Sequence, residues 1–209
     1  MGLDLSVAAL ALALAAALRP WRALAPGAGP PWPWVVTGLA LSVLWSADRW
    51  SHSPIVQPLS GAPLLVLLAG WPAAMLALVP AALLTAWLGD LAAVQAVQRL
   101  VWLGVVPGTL ALAGGLCVRR WLPRHLFVYI LGRGFGVTWL AAAAAGALSA
   151  ALHDAPAGLA ESELLVARWL AASGEAFLTG MLAAIFVAFR PHWLATYSDR
   201  RYLPGVAKP

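Results

Sequence analysis

The chain has 209 residues, of which 62% are apolar and 10% are charged. This composition excludes an ordinary soluble domain, in which about a quarter of the residues carry a charge. The formal net charge of +5 does not indicate nucleic-acid binding, because the basic residues lie in short loops and in the C-terminal tail, as in oriented membrane proteins. The single cysteine, Cys117, excludes an internal disulfide framework and a cysteine-rich metal site. We therefore expect one transmembrane domain over residues 1–209 that contacts the lipid bilayer and binds no nucleic acid.

Seven apolar segments follow one another along the chain. They lie at roughly residues 3–18, 34–47, 61–70, 72–88, 97–118, 125–151 and 164–189. The breaks between them are rich in proline, glycine or charge, which is typical of loops. Because a helix needs about 20 mainly apolar residues to cross a bilayer, the pattern predicts an all-α, polytopic membrane protein. We expect about seven transmembrane helices and a cytoplasmic tail over about residues 190–209.

The longest uncharged stretch, Gly61 to Gly89, is too long for one ordinary membrane span. Gly70-Trp71-Pro72 interrupts it near the middle. Proline suits the first turn of a helix, where its missing N–H group has no partner in any case. The stretch therefore predicts two short helices that meet at the Gly-Trp-Pro turn. Such broken elements occur where irregular backbone is buried in protein or lines a polar cavity.

The distribution of basic residues predicts the orientation in the membrane. Arginines lie in the loop after the first segment, in the loop Arg119–Arg124 and in the tail. The loop His153–Glu163 has three acidic residues and no Lys or Arg. With seven crossings, every basic cluster lies on the cytoplasmic side, as the positive-inside rule requires. We expect a multi-pass protein of the bacterial inner (plasma) membrane, with its N-terminus outside and its C-terminus in the cytoplasm.

A few polar residues fall inside the apolar segments, where their burial is expensive. Glu175 lies in the middle of the last segment, Arg133 about two turns into the sixth and Arg168 near the start of the last. Gln98 and Arg99 lie at the start of the fifth. One interpretation is an interhelical ion pair of Glu175 with Arg133 or Arg99 that fixes helix packing. The other is a polar lining for a substrate path, and the sequence leaves both open.

The loop before the broken helix holds the candidate ligands for a substrate or a metal ion. These are His52, Asp48 upstream of it and Ser60 at the end of the loop. Neutral imidazole is the commonest metal ligand in proteins, although a single loop histidine is equally compatible with a solvated side chain. No residue is therefore assigned as a certain metal ligand. We find no Ser/His/Asp set, no HExxH and no phosphate-binding glycine loop, so we expect no enzymatic activity and no resident cofactor.

Several motifs together resemble a known family of permeases. His52 to Leu64 reads HSPIVQPLSGAPL and is followed by LLAGWP at Leu67–Pro72. Gly104 to Gly108 reads GVVPG, and Glu175 to Pro191 reads EAFLTGMLAAIFVAFRP. In order and spacing these motifs are similar to those of the membrane permease, or substrate-binding, components of the cobalt/nickel energy-coupling factor transporters, the CbiM/NikM family. The resemblance extends from about residue 48 to 193.

The chain departs from this family at the metal site. In the family the metal is held by the N-terminal amine, a histidine at position two and the histidine of an SGH triplet. Here position two is Gly2, and Ala62 follows Ser60-Gly61. The family's site therefore cannot form in the same manner. His52 stands where the family usually has asparagine, and is the candidate for a relocated ligand.

The resemblance implies a substrate-binding permease of an energy-coupling-factor-type transporter. Its substrate would be a divalent transition metal ion such as cobalt or nickel, or a chelate of one. Uptake would need a coupling transmembrane subunit and cytoplasmic ATPases, because this chain has no Walker motif. The alternative is a non-transporting membrane assembly or scaffold protein that kept the fold without a metal site.

Overall fold

The computed structural model describes residues 2–23, 32–51, 57–153 and 160–203. Of these residues 86% are helical, and none of them forms a strand. The prediction of an all-α fold is thereby confirmed. The helices are α1 (Gly2–Ala17), α2 (Trp32–Trp50), α3 (Ala62–Ala69), α4 (Trp71–Leu88), α5 (Ala93–Arg99), α6 (Val106–Trp121), α7 (Val137–Leu152), α8 (Glu161–Phe189) and α9 (Asp199–Tyr202).

Two π-helical segments extend the longer helices. Leu100–Val105 joins α5 to α6, and Val128–Gly136 leads into α7. Short 3₁₀ turns follow α1 at Pro20–Ala23 and follow α8 at Pro191–Trp193. Single-turn π segments inside α-helices are frequent at functional sites, and both of these lie within long apolar helices.

Five helices of the described part are long and apolar enough to cross a membrane. They are Gly2–Arg22, Trp71–Leu88, Ala93–Trp121, Val128–Leu152 and Glu161–Phe189. Large apolar side chains on their outer faces, such as Leu10, Leu140 and Phe177, are exposed. Contiguous exposed apolar surface of this kind is compatible with lipid contact. We conclude that these helices suit insertion in a membrane.

The remaining two apolar segments of the sequence form α2 and α3. Helix α2 has 19 residues, but it contains Asp48, Arg49 and several Trp and Ser residues that lower its mean hydropathy. Helix α3 has eight residues, so at 1.5 Å per residue it is about 12 Å long and cannot cross a bilayer alone. The expectation of about seven spans therefore stays a prediction.

Helices α3 and α4 are separated by the single residue Gly70. Its φ of 76° and ψ of 159° lie in a region that only glycine occupies without strain. Pro72 follows in the first turn of α4, and Pro63 has the same place in α3. Each of the two helices thus has a proline in its first turn, where a backbone N–H group would have no partner within the helix. Glycine can adopt this conformation between the two helices because it has no Cβ to clash with the backbone.

The largest core cluster packs α1 to α4 against the π segment Leu100–Val105. At its centre lie the fully buried side chains of Trp45, Met75 and Leu78. Helix α1 contributes only alanines to this core. Small residues allow helices to approach closely, which is how membrane helices associate. Through this cluster α3 packs against α2 and α4.

The C-terminal segment packs against the helical bundle. The N–H groups of Ala195 and Thr196 donate to the carbonyls of Leu68 and Leu67, at 3.1 and 3.3 Å. Aromatic side chains of this segment, Tyr197 and Tyr202, pack around Tyr129. Residues 190–203 therefore cover the C-terminal end of α3, and the cytoplasmic location of the tail stays a prediction.

The helix ends gather at two opposite ends of the bundle. At the first, His153, just after α7, lies 3.6 Å from Asp4 of α1, and Arg49 in the last turn of α2 donates to the carbonyl of Gly89, just after α4. We call this the acidic end, because Asp4, Asp48 and Glu161 lie there. At the second, which we call the basic end, α6 finishes with arginines and the C-terminal segment meets α3.

Candidate functional site

A cavity of about 90 Å³ lies between α6, α7, α8 and the segment before α3. We call it the central cavity. Its walls are mainly small or apolar, but five polar side chains face it: Gln57, Ser60, Ser149, Arg168 and Glu175. Two of these, Arg168 and Glu175, lie inside α8, which is mainly apolar. Because polar groups at such depth are costly, their convergence marks the best candidate for a functional site.

Glu175 lies at the inner wall of the cavity and is only 3% exposed. Its two carboxylate oxygens accept hydrogen bonds from the backbone N–H groups of Ser60 and Gly61, at 2.9 and 3.0 Å. These groups lie just before the first turn of α3, where backbone N–H groups have no partner within the helix. The positive end of the helix dipole adds to the attraction. Glu175 therefore serves as a cap for the short helix α3, supplied from α8.

Further hydrogen bonds hold the segment before α3. The Ser60 hydroxyl accepts from the N–H of Ala62 at 3.1 Å, and the Trp45 indole N–H donates to the Ser60 carbonyl at 2.8 Å. Gly61 adopts a left-handed φ of 63° and lies against Leu41. Residues of α2, α3 and α8 thus fix the backbone at one wall of the cavity. Ser60, predicted as a candidate ligand, lines the cavity but its hydroxyl already has a structural partner.

The predicted ion pair of Glu175 with Arg133 or Arg99 is not formed. Arg99 instead makes two hydrogen bonds to Asp48, at 2.8 and 2.6 Å, and also donates to the carbonyl of Trp45. Because both oxygens of Asp48 are engaged, the predicted role of Asp48 as a substrate or metal ligand has little support. The pair joins α2 to α5. Gln98 is half-buried beside Arg99 and is not part of the cavity wall.

Arg133 lies outside the cavity, in the second π segment. It is 8% exposed, and its guanidinium carbon lies 6.0 Å from the centre of the Tyr129 ring, within reach of a cation–π interaction. Its Nε has no hydrogen-bond partner among the described residues. A Cβ at Gly115 would come within 2.7 Å of that Nε. Residue 115 must therefore be glycine for Arg133 to lie where it does.

Arg168 is the cation of the central cavity. It donates to the carbonyl of Gly146, whose missing side chain leaves room for the arginine stem. Arg168 and Glu175 lie seven residues apart on the same face of α8, which places them about 10 Å apart along the helix. The cavity thus has a guanidinium near the acidic end and a carboxylate deeper inside.

Sequence analysis did not identify Gln57 and Ser149 as cavity residues, nor Trp102, which also lines it. The Trp102 indole N–H donates to Asp4 at 2.9 Å, and its ring meets the His153 ring edge-on at 5.5 Å. These contacts join α1 and α7 next to the cavity. The run of small residues around Ser149 in α7 is the one signal that indicates close helix packing at this place.

The described part of the chain holds no group of three or more His, Cys, Asp or Glu residues able to bind a metal ion. His52, the predicted relocated ligand, lies outside the described residues. Comparison with known proteins found no matching family model, no matching curated protein and no matching solved structure.

Proposed function

We propose that this protein is the substrate-binding membrane permease of an energy-coupling-factor-type transporter in a bacterial inner membrane. The observation that supports this most is the central cavity, because it brings Arg168, Glu175 and Gln57 together inside an apolar helical bundle. Polar groups are expensive inside a membrane, and they often mark a substrate path there. The motif order that resembles the CbiM/NikM family agrees with this proposal.

The proposed topology has seven crossings, with α2 and α3 added to the five long helices. The segment before α3 would complete the short crossing of that helix. The acidic end faces outside and the basic end faces the cytoplasm, in agreement with the positive-inside rule. Arg168 and Ser149 then lie in the outer half of the protein. A permease that takes up substrate from outside needs its binding groups there.

This topology can be tested by cysteine labelling, since Cys117 is the only cysteine. In a Cys117→Ser background, Gly158→Cys lies in the acidic loop and Leu122→Cys in the basic loop. An impermeant maleimide added to intact cells should label position 158 and leave position 122 unlabelled until the cells are opened. Equal labelling of both positions, or the reverse pattern, would contradict the seven-span topology.

The chemistry of the cavity favours a chelate or another small polar molecule over a bare metal ion. A first-row metal ion needs several nitrogen or sulfur ligands, whereas the described wall offers one carboxylate that already accepts two hydrogen bonds. The guanidinium of Arg168 would also repel a cation. At about 90 Å³, the cavity is smaller than the roughly 150 Å³ that encloses a benzene molecule. It would therefore receive one anionic group of the substrate and not a whole chelate.

One observation favours the scaffold alternative. Glu175 accepts hydrogen bonds from the start of α3, so the presence of a carboxylate inside the apolar bundle has a purely structural explanation. In that case the cavity would exist only because α3 is short, and it would bind no substrate. Transport and scaffold functions differ in their partners, because only transport requires a coupling transmembrane subunit and cytoplasmic ATPases.

Purification from the native membrane separates the two functions. The tagged protein, solubilised in a mild detergent, should bring down a second polytopic protein and ATPase subunits with Walker motifs in stoichiometric amounts. An unrelated membrane protein with the same tag serves as the control. Recovery of a stable complex that contains no ATPase would contradict the transport proposal and support the scaffold.

A further inference from the structure

A second cavity, of about 470 Å³, lies at the basic end of the bundle. Its walls are formed by Leu116, Arg119, Arg120, Arg124 and Arg201, and we call it the basic pocket. Arg119 and Arg120 belong to the last turn of α6, Arg124 follows that helix, and Arg201 comes from the C-terminal helix α9. Segments far apart in the sequence therefore bring four guanidinium groups to one place.

The basic pocket has four positive charges and no acidic side chain in its wall. The ion pairs between described residues are Arg99 with Asp48 and His153 with Asp4, and neither involves this pocket. Like charges around one cavity repel one another, and an anion between them would relieve the repulsion. The positive-inside rule accounts for basic residues on this side of the membrane. The rule does not explain why Arg201, which belongs to the separate helix α9, lines the same cavity as the three arginines at the end of α6.

The residue type indicates which anion would fit. The planar guanidinium offers paired N–H donors that match the oxygens of a phosphate, and arginine is the preferred residue where phosphate is bound in this way. Four such groups can engage more than one oxygen of a phosphodiester. The chemistry of the pocket is therefore that of a phosphate site.

The surroundings of the pocket indicate where the phosphate comes from. Leu116 in its wall is 44% exposed, and Trp121 and Phe127 beside it are 75% and 64% exposed. A tryptophan at the end of an apolar helix lies typically at the headgroup layer of a membrane. A phospholipid could place its phosphate among the arginines and lay its acyl chains against the apolar face of α6. Basic pockets between helices at this depth are known to bind anionic lipid headgroups.

We propose that the basic pocket binds the phosphate headgroup of an anionic phospholipid. The proposal is independent of the transport function, since it rests only on the arginines and on the lipid-facing residues next to them. A lipid held by α6 and α9 together would fix the C-terminal segment against the end of α3.

Lipid-dependent melting of the purified protein tests this proposal. The protein in a neutral detergent is titrated with phosphatidylglycerol, or with phosphatidylcholine of the same acyl chains as the control lipid. Phosphatidylglycerol should raise the melting temperature of the wild type in a saturable manner, and phosphatidylcholine should not. Arg201→Gln should weaken the apparent affinity roughly five- to tenfold. Arg200→Gln is the matched control, because Arg200 is its neighbour in α9 but is not part of the pocket wall.

The melting temperature of each lipid-free variant is measured first, so that a folding defect is recognised. If Arg201→Gln is misfolded, Arg124→Gln replaces it, since Arg124 lies in a loop. Equal stabilisation by the two lipids, or equal weakening by the Arg200 and Arg201 variants, would overturn the proposal. Stabilisation by inorganic pyrophosphate without lipid, as strong as that by phosphatidylglycerol, would show a site for a soluble phosphate compound and would also overturn it.

Discussion

Replacement of Glu175 by alanine removes the acceptor for both N–H groups at the start of α3. Hydrogen bonds to a charged group contribute about 1.5–3 kcal/mol each, and a buried donor without a partner costs a similar amount. Because the two bonds measure 2.9 and 3.0 Å and Glu175 is buried, we expect Glu175→Ala to lower the free energy of unfolding by about 3–5 kcal/mol. For a chain of this size, each kcal/mol shifts the melting temperature by about 2–4 °C.

Glu175→Gln should have a smaller effect, of about 2 kcal/mol. The amide keeps one oxygen as acceptor for one N–H group, but it turns an NH₂ donor toward the other. Gly174→Ala is the control, since a Cβ at that position would have no atom within 4 Å. It should melt at the wild-type temperature or up to about 4 °C higher, because alanine favours a helix over glycine by about 1 kcal/mol. The assay is thermal unfolding of the detergent-solubilised protein.

A double mutant distinguishes this cap from the ion pair that the sequence suggested. If Glu175 caps α3 and does not pair with Arg133, the effects of Glu175→Gln and Arg133→Gln should add to within about 0.5 kcal/mol. An ion pair would instead make the double mutant more stable than the sum of the single losses. A Glu175→Ala variant that melts like wild type would refute the cap, and would indicate that water replaces the carboxylate.

Two further substitutions test contacts that hold α2 against its neighbours. Gly61→Ala should destabilise the protein by about 2–5 kcal/mol, since its φ is 63° and a Cβ would lie 2.1 Å from Leu41; a melting temperature equal to that of Gly174→Ala would contradict this. Asp48→Asn should cost about 1–2 kcal/mol, because it leaves the partly buried Arg99 without its charged partner. Addition of Arg99→Gln should restore part of that loss, and strictly additive losses in thermal unfolding would show that the pair is not coupled.

The helices could be predicted from the sequence wherever an apolar run is long. The segment 72–88 became α4 at Trp71–Leu88, and 164–189 became most of α8. The π segment Leu100–Val105 could not be predicted, because its residues have no pattern that differs from an ordinary apolar helix. The packing of residues 190–203 was missed, since charged and aromatic residues in a tail also suit a solvated segment.

The polar residues of the site could be identified, but their partners could not. Glu175 was recognised because a carboxylate in the middle of an apolar segment is costly. Its partners are backbone N–H groups 115 and 114 residues away in the chain. Every residue except proline has such a group, so the amino-acid sequence does not show which one will be the partner. The sequence rule that opposite charges pair therefore pointed to Arg133 and Arg99. Gln57 could not be predicted as a cavity residue, because only the fold brings this loop residue next to α7 and α8.

The transport proposal places an anionic group of the substrate at Arg168 in the central cavity, so substrate binding should depend on Arg168 and not on His52. Titration calorimetry with Ni²⁺ and with its citrate complex tests this on wild type, Arg168→Gln and His52→Ala, after thermal unfolding has shown that both variants are folded. We expect the free ion to bind weakly or not at all. The anionic complex should bind to wild type and to His52→Ala alike, and at least about tenfold more weakly to Arg168→Gln. Tight binding of free Ni²⁺ that is lost in His52→Ala, or binding of the complex that is unchanged in Arg168→Gln, would contradict the claim.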